Sequence, residues 1–408
     1  SSNVMAEELM ALYEGRSLPP VECQFRDGIS ILNDALNPQR EAELETFWRE
    51  QLSGTLPILA LPEDYTRPPE PSFDGEHIFK KIDPTMTRRL RSLAKETGTS
   101  LYMVILAAYF TLLHRLTGQD DVLVGAPSSG RDDARLQSAV GMFVNTFVIR
   151  CQPEARLPFI EFLRSVKDRC TQAYDRQDYP FEKAAELNQS RPKDRNAIFD
   201  TMLSYENADA RSFHIKDLTF TMRDIHVRGA MFDFSLDIVE EKETLRLDFQ
   251  FATDLFSRET VERWSQQFVR ILDSVIDSRE QRLADIPLLG STELEQLAAW
   301  NDTHAAYPAD KTIVDLFEEQ VEKTPDNVAL VSCDTSLTYR ELNAEANRIA
   351  HALQENHAVQ PREFVGVLLD RSERIIATLL GILKAGAVYV PMDAEYPAER
   401  LEFMAQDS

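Results

Sequence analysis

The 408-residue chain carries 44 basic and 68 acidic side chains, a formal charge of −24. Such an excess of carboxylates excludes a global attraction for phosphate backbones or anionic lipid, so neither nucleic acid nor a membrane surface is an expected partner. Its 43% hydrophobic residues suffice for ordinary buried cores, and at roughly 150 residues per domain the length suggests two to three domains.

Residues 1–73 read as helix, strand and helix followed by a connector. VMAEELMALYEG closes on Gly15 and REAELETFWREQLSG on Gly54, while residues 61–73 (LPEDYTRPPEPSF) hold four prolines. Proline fixes φ and removes a donor, so this stretch is extended and marks a first boundary. Residues 74–280 read as one α+β domain. It opens with a helix (PTMTRRLRSLAKETG), a buried helix over 101–117 and the strands DVLVGAP and MFVNTFVIR. An amphipathic helix follows with Phe159, Phe162, Leu163 and Val166 on one stripe. Then come the β segments AIFDTMLSYEN, LTFTMRDIHV, FDFSLDIVEE and LRLDFQFATDLF, and a closing helix, RETVERWSQQFVRILDSVID. The run Leu101 to Leu113 is too short to cross a bilayer. Residues 281–311 read as a linker. From 312 to 408 helices and strands alternate regularly, which favours a parallel sheet. Thr338 and Glu341 form a capping box there and Gly386 stops a helix. Ser1 opens without a Met, a basic segment or a cleavage signal, so no targeting segment is expected, and the chain reads as cut at both ends.

The residue inventory offers little chemistry. Cys23, Cys151, Cys170 and Cys333 lie far apart without a CxxC pair, which argues against zinc and disulfides and fits a reducing, cytoplasmic compartment. None of the seven histidines begins an HxxxD, HExxH or HxH arrangement. His351 and Glu355 read as a solvated helix pair, and His114 as an electrostatic cap on the buried helix. No general base follows from spacing. Neither GxxxxGK[ST] nor GxGxxG occurs. Ser128, Ser129 and Arg131 in PSSGRDD could meet an anion, though a plain loop is the better reading. Lys384 reads as a helix C-cap feature.

Several strings nonetheless carry a resemblance. VGMFVNTFVIR (140–150), RQDYPFE (176–182) and KDRNAIFDTMLSYEN (193–207) resemble, in order and spacing, the later core motifs of condensation domains of nonribosomal peptide synthetases. GAPSSGR (125–131) and FDFSLDIVE are similar to that family too, while LTYREL (337–342) and LKAGAVYVPMD (383–393) resemble the first two core motifs of its adenylation domains. The resemblance covers essentially the whole chain. It implies an α+β, chloramphenicol-acetyltransferase-like condensation lobe followed by an incomplete α/β adenylation subdomain. Residues 1–73 would end the N-terminal condensation lobe, 74–280 form the C-terminal lobe, and 312–408 begin the adenylation (AMP-binding) domain.

The implied activity is amide-bond formation between peptidyl and aminoacyl thioesters on upstream and downstream carrier domains, with ATP-dependent amino acid activation in the parent. It implies 4′-phosphopantetheine on the carriers, ATP and Mg2+ for a complete adenylation domain, and no cofactor bound by this chain. The family's histidine motif, HHxxxDG, is expected immediately ahead of Ser1, so no catalytic residue is assigned and the chain alone is expected to be inactive. Arg195 matches the arginine that pairs with that motif's aspartate, a pair that would fix the loop carrying the base. Gly141, Asn145 and Thr146 match the strand motif near the substrate tunnel. A structural hydrogen bond rivals substrate contact for the two polar ones. Asp178, Tyr179, Pro180 and Phe181 match a loop shaping the tunnel floor, and Ser204 would face the tunnel. Arg176 departs from the His or Asn usual at the head of its motif, and FRDGISILN (25–33) matches a fourth motif only in degenerate form. Two other readings are a freestanding acyltransferase of the same fold acting on coenzyme A thioesters, and a non-catalytic platform that holds carrier domains.

Overall fold

The computed structural model describes residues 2–188, 191–192, 195–207, 212–215, 218–221, 228–332 and 335–408. Cys333, His226, Lys193, Asp194 and the end of the LTFTMRDIHV segment lie outside the described residues. The chain divides into two compact units between Ala299 and Trp300.

The first unit opens with helices α1 (Ser2–Tyr13), α2 (Phe25–Ala35) and α3 (Pro38–Gln51). Where the sequence reading expected a strand between two helices, the structure has α2. The Asp27 carboxylate accepts from the Gln24 N–H at 3.0 Å and caps its start, and Ile31 and Leu32 pack on Cys23, Leu136, Ala139 and Phe143. Both are half-buried there, and Gly28 is the buried residue of α2. Strand β1 (Gly75–Ile82) and helix α4 (Pro84–Thr97) follow, the helix capped by Asp83 and stopped by Gly98 at φ +63°. Helix α5 (Leu101–Thr117) begins at Ser100, whose side chain accepts from the Met103 N–H, and is buried along most of its length. Next come β2 (Val122–Ser128), β3 (Asn145–Cys151), α6 (Phe159–Tyr174), the short α7 (Phe181–Glu186) and β4 (Thr201–Asn207). Among the described residues, strands β5 (Ser212–Ile215) and β6 (Leu218–Thr221) pair antiparallel with each other. Finally β7 (Phe234–Glu241), β8 (Thr244–Ala252) and α8 (Arg258–Asp277) complete the domain.

Six strands form one mixed sheet in the order β1-β8-β7-β4-β2-β3, with β7, β4 and β2 parallel and the other pairings antiparallel. Helices α5, α6 and α8 join the sheet in one core: Val261, Trp264, Phe268, Ile271, Leu272 and Val275 form a single stripe on α8. Phe249 stands at its centre, its ring 6.1 Å from Phe234 and 5.7 Å from Phe268. His114 lies in the last turn of α5, its Nδ1 against the Gln119 carbonyl at 2.8 Å.

The stretch read as a linker is docked at its start. Leu283 and Ile286 are buried in the core, and Arg115 donates to both their carbonyls at 2.8 and 3.0 Å. Helix α9 (Ser291–Trp300) follows, held by Arg270 through the Leu288 carbonyl and Glu293. Burial of these two apolar side chains seats the backbone there.

The second unit comprises α10 (Ile313–Lys323), β9 (Val328–Ser332), β10 (Thr335–Thr338), α11 (Tyr339–His351), β11 (Phe364–Leu368), α12 (Glu373–Lys384), β12 (Val388–Met392) and α13 (Ala398–Asp407). Strands β11 and β12 are parallel across α12, whereas β9 and β10 pair antiparallel. The Thr338–Glu341 capping box is present, and Gly386 follows α12 at φ +78°. Lys384 pairs with Glu318 of α10 and stands 5.8 Å from the Phe317 ring, so it ties two helices together. His351 and Glu355 form the expected exposed pair at 4.0 Å. Among the described residues no single helix is long and apolar enough to cross a membrane.

Replacing Phe249 with Ala removes both ring contacts and should cost about 3–5 kcal/mol, read as a lowered urea midpoint. In the second unit Val331, Phe364, Leu368 and Phe403 are exposed. Residues 301–408 expressed alone should therefore aggregate or give no cooperative melt, and a sharp thermal transition would contradict this.

Candidate functional site

The loop from β2 to β3, helix α2 and the turn after α6 enclose a groove of about 610 Å3. Its walls are apolar at Leu32, Phe143 and Val144 and acidic at Asp132, Asp175 and Asp178. One side chain sets its shape. The Asn145 amide nitrogen donates to the carbonyls of Gln177 at 2.7 Å and Tyr179 at 2.8 Å, and its oxygen accepts from the Phe181 N–H at 3.3 Å. This satisfies both donors of the amide and closes the turn onto the head of β3. Gln177 continues the network, accepting from Ser128 Oγ and donating to Asp132 at 3.0 Å. Arg40 of α3 forks onto Asp178, with both contacts at 3.1 Å, and donates to the Asp175 carbonyl at 2.8 Å. A planar guanidinium fits this bidentate geometry.

Tyr179 and Phe181 support the turn from behind. Tyr179 is buried, which raises its phenol above the usual range, and Phe181 opens α7 with its ring 5.9 Å from Phe199. Thr146 is half-buried one residue into β3, opposite Pro127. Arg176 lies 4.3 Å over the Phe47 ring and donates to the Gln172 carbonyl, a packing role in place of the polar head expected of that motif.

Arg131 organises the loop facing α2. It donates to the carbonyls of Leu136, Ala139 (2.8 Å) and Gly141 (3.0 Å), and its guanidinium lies 4.6 Å over the Phe143 ring. Ser128 and Arg131 thus serve protein partners, as the plain-loop reading expected. Gly141 is required by contact: a Cβ there would stand 2.1 Å from the Phe25 ring. Asp133 on the rim is held down to about 2 by its hydrogen bonds to Arg135.

The structure separates the remaining candidates from this groove. Arg195 stands 3.3 Å from Asp233 and 3.7 Å from both Glu63 and Asp200. Arg67 pairs with Asp233 and Glu63, and buried Arg191 pairs with buried Asp200, which also accepts from the Leu59 N–H at 3.0 Å. Three guanidiniums therefore balance three carboxylates, which burial requires. Burial raises the Asp233 carboxyl above its usual range, against the opposing pull of Arg67. This cluster borders its own cavity of about 160 Å3. Ser204 donates to Asp237 at 2.7 Å, and Gln250 reaches the same carboxylate, forming a polar row across β4, β7 and β8. His77 and buried Asp248 meet at 3.0 Å on β1 and β8. Spacing missed this pair, whose members lie 171 positions apart. Arg40, Gln177 and Asp132 were missed for the same reason: nothing local marks residues whose partners are distant in sequence.

The family profile described as Condensation domain matches residues 1–298, and that of AMP-binding enzyme matches residues 317–408. The chain belongs to the condensation-domain family, on the α+β, chloramphenicol-acetyltransferase-like fold of its mixed sheet, and continues into the start of an AMP-binding domain. That domain order is the one found in nonribosomal peptide synthetases. The chain is 39% identical to gramicidin S synthase 2 of Brevibacillus brevis and 40% identical to tyrocidine synthase 3 of Brevibacillus parabrevis, in each case over its full length. It spans only 9% and 6% of those two proteins. Among solved structures, a four-domain nonribosomal peptide synthetase bound to AMP and glycine matches 90% of this chain and 29% of its own length, with a TM-score of 0.77 at 25% identity. The X-domain from teicoplanin biosynthesis shares the fold over 71% of this chain and 68% of its own, with a TM-score of 0.63 at 24% identity.

Asn145→Ala leaves two carbonyls and an N–H of the turn without their partner and should cost about 1–3 kcal/mol, with faster amide exchange across residues 177–181. In an NMR titration Asp133 should protonate near 2, returning toward 3.8 in Arg135→Gln. Because its folded pKa is depressed, its contribution to stability is present above the unfolded value and lost as pH falls toward 2.

Proposed function

We propose that this chain is the junction between the condensation and adenylation domains of a nonribosomal peptide synthetase, and that its parent forms amide bonds between carrier-bound substrates. The acceptor amine attacks the thioester carbonyl, the C–N bond forms, the C–S bond breaks, and the thiol leaves with the proton. On this reading residues 74–280 are the C-terminal condensation lobe, the groove beside Asn145 lies on the substrate's path, and the reacting base comes from the HHxxxDG motif ahead of Ser1. Asn145, Asp178, Tyr179 and Phe181 shape the wall, while Gly141 lets α2 approach. Ser204 joins β4 to β7 through Asp237, Thr146 stands near the head of β3, and none of these residues reacts. Arg195, already within a neutral cluster, holds the connector over 59–67 to the head of β7; pairing with an outside aspartate would add a fourth carboxylate there.

The carrier domains would present 4′-phosphopantetheine thioesters, and a complete adenylation domain would use ATP and Mg2+ to activate the amino acid. Residues 317–408 would give that domain scaffold rather than reacting groups. A reducing cytoplasm suits Cys23, Cys151 and Cys170, which are free and buried among the described residues. The observation that carries the reading is the Asn145 staple, which joins two stretches singled out separately by motif into one wall of the groove. The match of residues 317–408 to an AMP-binding enzyme disfavours a freestanding coenzyme A acyltransferase.

The test is transfer by the complete module supplied with its two loaded carriers, followed by intact-protein mass spectrometry of the downstream carrier. The elongated acyl group should appear there, and Asn145→Ala should slow it by about tenfold or more, because displaced walls misalign the reactants. No transfer by the complete module would overturn the proposal.

A further inference from the structure

Of the carboxylates that line the groove, two are already matched: Asp178 by Arg40 and Asp133 by Arg135. Asp132 and Asp175 line it too, and neither has a cationic partner among the described residues. These two are held very differently. Asp132 is exposed and accepts from the Gln177 amide at 3.0 Å, while Gln177 itself is only 7% exposed. Gln177 is fixed twice over, its side-chain oxygen by the Ser128 hydroxyl and its backbone carbonyl by Asn145 at 2.7 Å. A buried side chain thus holds one solvent-facing carboxylate in place. A carboxylate offers about four acceptor sites, and Gln177 takes one of them. Asp175 is exposed, and its carboxylate has no such support among the described residues.

The wall that shares the groove with Asp132 is apolar and open. Met142 is 79% exposed and Val144 58%, and Leu32 and Phe143 line the same space. A ligand that covers these side chains also strips water from Asp132. Desolvating an unpaired carboxylate is costly unless the ligand brings a cation to it. A neutral apolar ligand leaves the carboxylate unmatched, and an anion meets two uncompensated charges of its own sign.

We infer that the groove takes a primary ammonium carried on an apolar body, with Asp132 as its recognition carboxylate and Gln177 as the positioning residue that holds Asp132. Resting on the reading of the groove as the substrate's path, the ligand is the acceptor, since a free α-amine is mostly protonated at neutral pH. Asp132 binds the cation and takes no proton from it. The proton leaves to the base ahead of Ser1, and only then does the nitrogen attack.

The experiment titrates the whole chain with phenethylammonium, its neutral analogue 2-phenylethanol and the anion 3-phenylpropanoate, followed by NMR at the amides of Asp132 and Gln177. Phenethylammonium should bind about fivefold more tightly than the alcohol, the upper range for an ion pair open to solvent, and the anion most weakly. Raising the salt to about 0.5 M should shrink that preference. Asp132→Asn should abolish it and keep the binding of the alcohol. Asp175→Asn removes the same charge from the same groove and should leave the preference in place, which separates a fixed site from general acidity. Gln177→Met keeps the Asp132 charge but loses its support, and should lower the ratio of ammonium to alcohol affinity. No response to any probe, a preference that persists in Asp132→Asn, or one equally lost in Asp175→Asn would overturn the site; an unchanged ratio in Gln177→Met would overturn the positioning role. These readouts need no turnover: a module that transfers acyl groups without the ammonium preference refutes the site alone, and one that shows the preference but never transfers refutes the functional reading.

Discussion

The primary amide of Asn145 is the constraint on which the groove depends. Backbone carbonyls at the end of a helix must find donors, and the turn after α6 leaves those of Gln177 and Tyr179 without any from its own helix. A side chain at the head of a neighbouring strand supplies both, at 2.7 and 2.8 Å, and takes the next free N–H in return. No other residue type of that size offers two donors and an acceptor in one plane. The turn is thereby held against the sheet, and Asp178 is delivered to Arg40 on α3.

Around this staple the molecule places charge in two ways. At the groove, Asp178 engages Arg40, Asp133 engages Arg135 and Asp132 accepts from the Gln177 amide. At the connector, three arginines and three acids are sequestered together, with Arg191 and Asp200 almost wholly buried. Removing one member of such a cluster leaves an uncompensated charge in low dielectric. The cluster therefore fixes the connector, the segment before β4 and the head of β7 as one unit, although those pieces are far apart in sequence. The open groove and the fixed joint are thus built from the same residue types, separated by exposure.

How much was legible in the sequence follows the range of the forces. Helix α5 could be read over 101–117 because Ser100 and Gly118 bracket an apolar run, and α8 because its stripe keeps one period. Asn145, Gly141 and Asp178 were picked out by motif, while their actual tasks needed coordinates: the amide's partners are 32 and 34 residues away, and Arg40 lies 138 residues from Asp178. The helix α2 was misread since its burying partners, Leu136 and Phe143, come more than a hundred residues later.

Amide-bond formation requires a base to take the acceptor's proton, and the groove's walls hold carboxylates, amides and apolar groups rather than a histidine. The most direct measurement is therefore the coding sequence immediately upstream of Ser1. An in-frame HHxxxDG ending just ahead of that residue is the predicted result, placing a general base in the same polypeptide as the Asn145 staple. A start codon at that point, or an open frame without the motif, would contradict the account and leave the chain as a scaffold without acyl-transfer chemistry.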